Sequence, residues 1–226
     1  MTTSGVSSYN PDFDEIITEA YERCGLQVRD GYDVLSARRS LNLMFAEWAN
    51  RGLNLYTIEQ RQVVLVAGTS EYSLPDDTVD ALSAVIRTNS GQSDQQDITI
   101  DRIGSAEYLH TPNKLTTSRP AQFYVQRTVP AKLFLYPAPD ATQTYIFRYY
   151  AIRRIQETGA VTNTADISFR FLPCLTAGLS YYLAVKKAPD RIAMLKQFYE
   201  EEFARAASED RERSSYFAVP TYTESY

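Results

Sequence analysis

Residues 34–56, VLSARRSLNLMFAEWANRGLNLY, decide how this chain is read, because the sequence changes period just after them. Val34, Ala37, Leu41, Met44, Phe45 and Trp48 recur at helical spacing and make one stripe. Arg38, Arg39, Asn42 and Glu47 fall off that stripe, and Gly52 is a stop signal. These signals predict a helix over residues 33–50. Residues 62–75, QVVLVAGTSEYSLP, alternate with the period of a strand instead. They predict a strand at 62–66, a turn at 67–70 and a return strand carrying Tyr72 and Leu74. Pro75 breaks it, and residues 81–87 supply a further strand.

Upstream, residues 1–9 are small and polar, a loose arm. Asn10 is a capping residue and Pro11 suits a first helical position. Phe13, Ile16, Ile17, Ala20 and Cys24 then follow at helical spacing until Gly25. Downstream, residues 88–96 (TNSGQSDQQ) and 111–120 (TPNKLTTSRP) are polar loops. Around them lie predicted strands at 97–103, 122–127, 132–136 and 144–152, with one or two helical turns at 105–110. Val129-Pro130-Ala131 is the tip of a hairpin. Six or seven short strands predict a small sandwich or barrel.

Residues 155–168 form a polar connector, and the chain then returns to helix. Leu175, Leu179, Tyr182 and Leu183 stripe residues 172–187. After a break at 188–190, where Asp190 is a candidate cap, Ile192, Leu195, Phe198, Tyr199, Phe203 and Ala206 stripe the last helix. The expected fold class is α+β. Two N-terminal and two C-terminal helices form a four-helix body, with an inserted antiparallel β-module and an extended C-terminal tail. The expected parts are 1–54, 55–154, 155–213 and 214–226.

The sequence carries 23 basic and 28 acidic residues, a net charge of −5. That balance argues against wrapping nucleic acid, which needs clustered cations. The basic doublets, Arg38-Arg39, Arg153-Arg154 and Lys186-Lys187, sit near helices or strand ends and read as solvated or subunit-contact residues. Cys24 and Cys174 read as buried hydrophobes, and His110 as a loop histidine. No phosphate loop, dinucleotide fingerprint, nucleophile elbow or zinc-protease motif occurs. Asp76 and Asp77 are explained by a turn, and Glu200, Glu201 and Glu202 point in different directions on a helix. The expectation is therefore no catalytic residue, no metal and no cofactor. No secretory h-region and no run of membrane-spanning length is present, so synthesis and folding in cytoplasm-like conditions and no membrane partner are expected.

One segment stands out as a contact. Residues 214–226, SSYFAVPTYTESY, have no helical period yet carry Tyr216, Phe217, Val219, Tyr222 and Tyr226. Aromatics on so short a segment fit docking onto another chain, since tyrosine is enriched at interfaces. The competing reading is that the tail folds back on its own body.

The order of parts resembles the phage head-to-tail adaptor proteins. The resemblance rests on LNLMFAEWANRGLNLYTIEQ (41–60), AGTSEYSLPDDTVDALSAVIR (67–87) and LPCLTAGLSYYLAVKKAPDRIAMLKQFYEEEFARAASEDRERS (172–214). It covers nearly everything between Phe13 and Ser214. It implies a structural virion protein of the neck: a ring, usually of twelve copies, beneath the portal protein, with genomic DNA passing through its lumen during ejection. Among short-tailed phages the matching piece is the upper tail tube protein. The resemblance further implies that the helical body builds the ring and that the C-terminal extension, here Ser214 to Tyr226, reaches the portal. The β-module would face a downstream tail or nozzle protein or fibres. Two other functions compete: a tail-associated module whose loops 88–96 and 111–119 grip a fibre or receptor, and a virion-associated hydrolase.

Overall fold

The computed structural model describes Gly5, residues 9–52 and residues 55–210 of the 226. They form an α+β fold that divides into two compact units. The first takes the described parts of 1–41, 161–164 and 168–226; the second takes 42–160 and 165–167. The division falls inside the second helix, between Leu41 and Asn42.

In the first unit, helix α1 spans Phe13–Arg23. Its cap is Asp12 rather than the expected Asn10; the Asp12 carboxylate accepts from Glu15 N–H at 2.9 Å. The reason is a strand-like contact upstream. Asp12 forms a bridge with Thr164, which holds it extended, and the next two N–H groups donate to Asn163 and Val161 carbonyls at 3.0 and 3.1 Å. Helix-start donors that would otherwise lack partners are thus satisfied. At the other end Gly25 has φ +71°, a conformation glycine takes freely. A Cβ there would meet the Arg191 guanidinium at 2.7 Å, and that guanidinium donates to the Arg23 carbonyl at 2.9 Å. Arg191 therefore closes the C-terminus of α1.

Helix α2 spans Gly31–Arg51. Its start is a reciprocal cap, in which Asp33 N–H donates to Asp30 Oδ1 at 3.0 Å and Arg29 N–H donates to Asp33 Oδ2 at 3.1 Å. The predicted stripe is buried from Ala37 through Trp48, and Trp48 is wholly inaccessible. Helices α4 (Leu172–Lys187) and α5 (Ile192–Glu209) form an antiparallel pair. Tyr181 stacks on Tyr199 with centroids 6.1 Å apart, and Phe171 meets Phe203 edge-on at 6.2 Å. A 3-10 turn, Pro189–Arg191, joins them, and Asp190 makes no side-chain cap. Both cysteines are buried, and the Cys24 thiol donates to the Ser180 carbonyl at 3.2 Å. Burial pushes that thiol up from its ordinary range.

The second unit holds two four-stranded sheets. Strands are β1 (Ile58–Val64), β2 (Glu71–Ser73), β3 (Thr78–Thr88), β4 (Gln96–Thr99), β5 (Asp101–Arg102), β6 (Gln122–Gln126), β7 (Lys132–Tyr136) and β8 (Ile146–Arg153). One sheet has the order β1-β8-β3-β4 and the other β2-β7-β6-β5. Inward residues of both, among them Ile86, Phe123, Leu133 and Phe147, share one core, so of the sandwich or barrel that the strand spacing predicted the module is a sandwich. On the outer face of the second sheet, Tyr124 opposes Phe134 across β6 and β7. Tyr108 from α3 (Ser105–His110) covers them at 5.7 and 5.3 Å.

Two expectations fail here. Residues 62–75 are not a hairpin: β1 pairs with β8 and β2 with β7. The turn between them instead carries the chain from one sheet to the other, with Leu65 and Leu74 buried at its ends. Two bonds fix the crossing, Leu65 N–H to Tyr145 O at 2.9 Å and Gly68 N–H to Pro139 O at 2.7 Å. Residues 97–103 also split, β4 joining the first sheet and β5 the second, with Ile100 buried between them. Within the otherwise antiparallel module, the short β5 pairs with β6 in parallel. The helix and polar loop between them form the long crossover that a parallel pair requires.

Candidate interaction surfaces

The side chains expected to dock, Tyr216, Phe217, Val219, Tyr222 and Tyr226, lie outside the described residues. Within the described residues, no group of three or more His, Cys, Asp or Glu side chains is placed to hold a metal ion. His110 ends α3 on the surface. No described helix is long and apolar enough to cross a membrane.

Much of the charge that looked solvated works inside each unit. Arg61 on β1 forks onto Asp77, both contacts at 2.6 Å, and also donates to Thr78 Oγ1 at 2.7 Å and to Glu59. Arg153, half of an expected surface doublet, is mostly buried and clasps Asp166 and Glu59. Asp77 is thus more than a turn former; its partner lies sixteen residues upstream, beyond any local pattern. In the helical unit, Lys187 at the end of α4 pairs with Asp33, and Tyr21 donates to the Asp33 carbonyl at 3.1 Å. Lys186 donates to Ser40 Oγ at 2.7 Å and to Ser36 at 3.2 Å. Burial, then the charges of Arg39 and Lys187, hold Lys186 below the usual lysine range.

These pairs set the acid response. The hydrogen bond from Arg61 holds Asp77 below the ordinary carboxylate range, as Arg87 does for Asp97 and Lys187 for Asp33. Each folded-state pKa lies below the unfolded value of about 3.9, so the stability contributed is present above that pH. It is lost as pH falls through the folded values. Thermal unfolding across a pH series should therefore show little change between about pH 5 and 8 and a falling midpoint below about pH 4. Asp77→Asn should flatten that acid limb.

Two helices of the first unit keep apolar residues exposed at helical spacing. On α2, Tyr32 is 67% and Leu35 48% exposed, and Arg39 follows one turn on. On α5, Met194 is 48% and Phe198 51% exposed, and Glu201 continues the line. Phe198 was expected on the buried stripe; Leu195, Tyr199 and Ala206 occupy that face instead. The sequence signal for these surfaces was a second apolar line beside each buried stripe, Tyr32 and Leu35 on α2 and Met194 and Phe198 on α5.

The SU10 adaptor protein family matches this chain over residues 11–222. No curated protein matches it.

Proposed function

The chain belongs to the SU10 adaptor protein family, structural adaptors of phage particles, and from that premise we propose that it forms a ring between portal and tail. The observation that carries this reading is the family match, which spans both compact units. A ring of about twelve subunits closes by rotation and needs two different complementary faces on each copy. The helical unit is the proposed ring builder, and the exposed lines on α2 and α5 support that role. The β-module is proposed to face the next tail component. The four-part organisation at 1–54, 55–154, 155–213 and 214–226 is kept as the functional division. The net charge of −5 favours free passage of DNA through the lumen over tight binding. No catalytic step is proposed.

Native mass of the protein mixed with its portal tests this. Twelve copies of 25.7 kDa add about 308 kDa to the portal. A chain that stays monomeric and unbound in that mixture sinks the proposal.

Residues 214–226 are proposed to dock on the portal. Removing them should leave a folded protein whose portal binding is weaker by about ten- to a hundredfold, the loss expected from a few aromatic anchors. If the truncated chain unfolds, the segment belongs to its own body instead.

A further inference from the structure

Within the helical unit, α4 has α2 and α5 on different sides. Lys186 of α4 reaches Ser36 and Ser40 of α2, whereas Tyr181 of α4 stacks on Tyr199 of α5. Five residues of helix separate those two side chains by about 140° around the α4 axis. The N-terminal ends of α2 and α5 nevertheless lie at one level. Lys187, the last residue of α4, pairs with Asp33 in the first turn of α2, and only Ala188 and the Pro189–Arg191 turn separate α4 from α5.

The outward lines near those two starts match in order and differ in sign. On α2 the order is Tyr32, Leu35, Arg39; on α5 it is Met194, Phe198, Glu201. Each is two apolar residues and then a charge over seven positions, a rise of about 10 Å. Arg39 and its neighbour Lys186 leave the α2 side net cationic, Lys187 being paired with Asp33, while Glu201 and Glu202 outnumber Arg205, which pairs with both, and leave the α5 side net anionic. Apolar residues left exposed at helical spacing mark a contact surface when a complementary partner exists.

We propose that the occupant of the α2 line is the α5 line of a second copy of this chain, with Leu35 against Phe198 and Arg39 against Glu201. This rests on the ring reading above and names the faces that build the ring. The contact is heterologous: every copy offers one line to each neighbour, so it propagates and closes by rotation and does not stop at a dimer.

Cysteine pairs test the assignment, because the native Cys24 and Cys174 are buried. Full-length Leu35→Cys, Phe198→Cys and the double variant are assembled with portal, imaged and oxidised. The double variant should give a ladder of dimers, trimers and larger species. Each single variant should give no cross-link, and a mixture of the two singles should give dimers only. Cross-linked dimers from a single variant would mean a two-fold contact and overturn the proposal. Rings that image normally but do not cross-link would overturn it while leaving the ring standing. Absence of rings in every variant and in the unaltered protein would overturn both readings. A Leu35→Cys thiol that reacts with maleimide only after residues 211–226 are removed would assign the face to the chain's own end, and would also overturn it. Charge reversal supplies a second readout. Arg39→Glu or Glu201→Arg should weaken subunit association about tenfold, and the two together should restore it; no recovery in the double reversal would remove the Arg39–Glu201 pairing.

Discussion

Phe147→Ala is expected to destabilise the β-sandwich by about 3–5 kcal/mol. Phe147 lies on β8, which runs between β1 and β3, opposite Val63 on one side and Ile86 on the other. Its ring is fully buried, 5.5 Å from the Phe123 ring of the second sheet and 5.2 Å from Tyr149. It thus fills the space between the two sheets, where neighbours fixed by ladder bonds on both flanks cannot collapse into the cavity. Phe147→Leu keeps most of the volume and should lose no more than about 1.5 kcal/mol. Trp48, the single tryptophan, lies in the same compact unit, so its fluorescence in a urea titration reports the loss. An alanine variant within about 1 kcal/mol of the parent would mean that the sheets do not share this core.

Elements read from one-face periodicity came through well, because burial of one stripe is a local constraint. The stripe from Ala37 to Trp48 is buried as its spacing required. The limits of α4 match the predicted residues 172–187. Helix starts moved by two or three residues where a distant segment intervened, as at Asp12, whose bridge to Thr164 no nearby residue announces. Strand pairing was the least legible. Residues 67–70 have the composition of a hairpin turn, yet the partner of β1 lies some eighty residues onward in β8. Turn chemistry favours a bend and says nothing about which strand receives the chain after it.

Function divides the same way. The absence of catalytic motifs was readable because such motifs are local. The second apolar lines on α2 and α5 are present in the sequence, but Phe198 and Tyr199 are adjacent apolar residues and only packing decides which one faces outward. Tyr199 takes the core, against Tyr181, and Phe198 is left at the surface. A stripe of six residues spread over 192–206 therefore held both a core face and one exposed apolar residue.

The second large effect concerns Asp80, a carboxylate that no sequence motif marks. Asp80 lies on β3 between two register shifts and is buried, its side chain 3% exposed. It accepts from Arg102 of β5 at 2.8 and 3.0 Å, from Arg127 just past β6, and from the Ala81 N–H at 2.9 Å. One carboxylate in the first sheet thus holds two arginines of the second. Removing different partners should have unequal effects. Asp80→Ala leaves arginines that are 36% and 65% exposed and can rehydrate, so the loss should be about 1.5–3 kcal/mol. Arg102→Met with Arg127→Met strands a buried anion and should lose about 3–5 kcal/mol. Adding Asp80→Ala to that pair should recover much of the loss, because the uncompensated charge is then gone. Urea midpoints followed by Trp48 fluorescence give the ranking. If Asp80→Ala proves as damaging as the double arginine variant, Asp80 acts through packing at the strand irregularity and not as the counter-charge that joins the sheets.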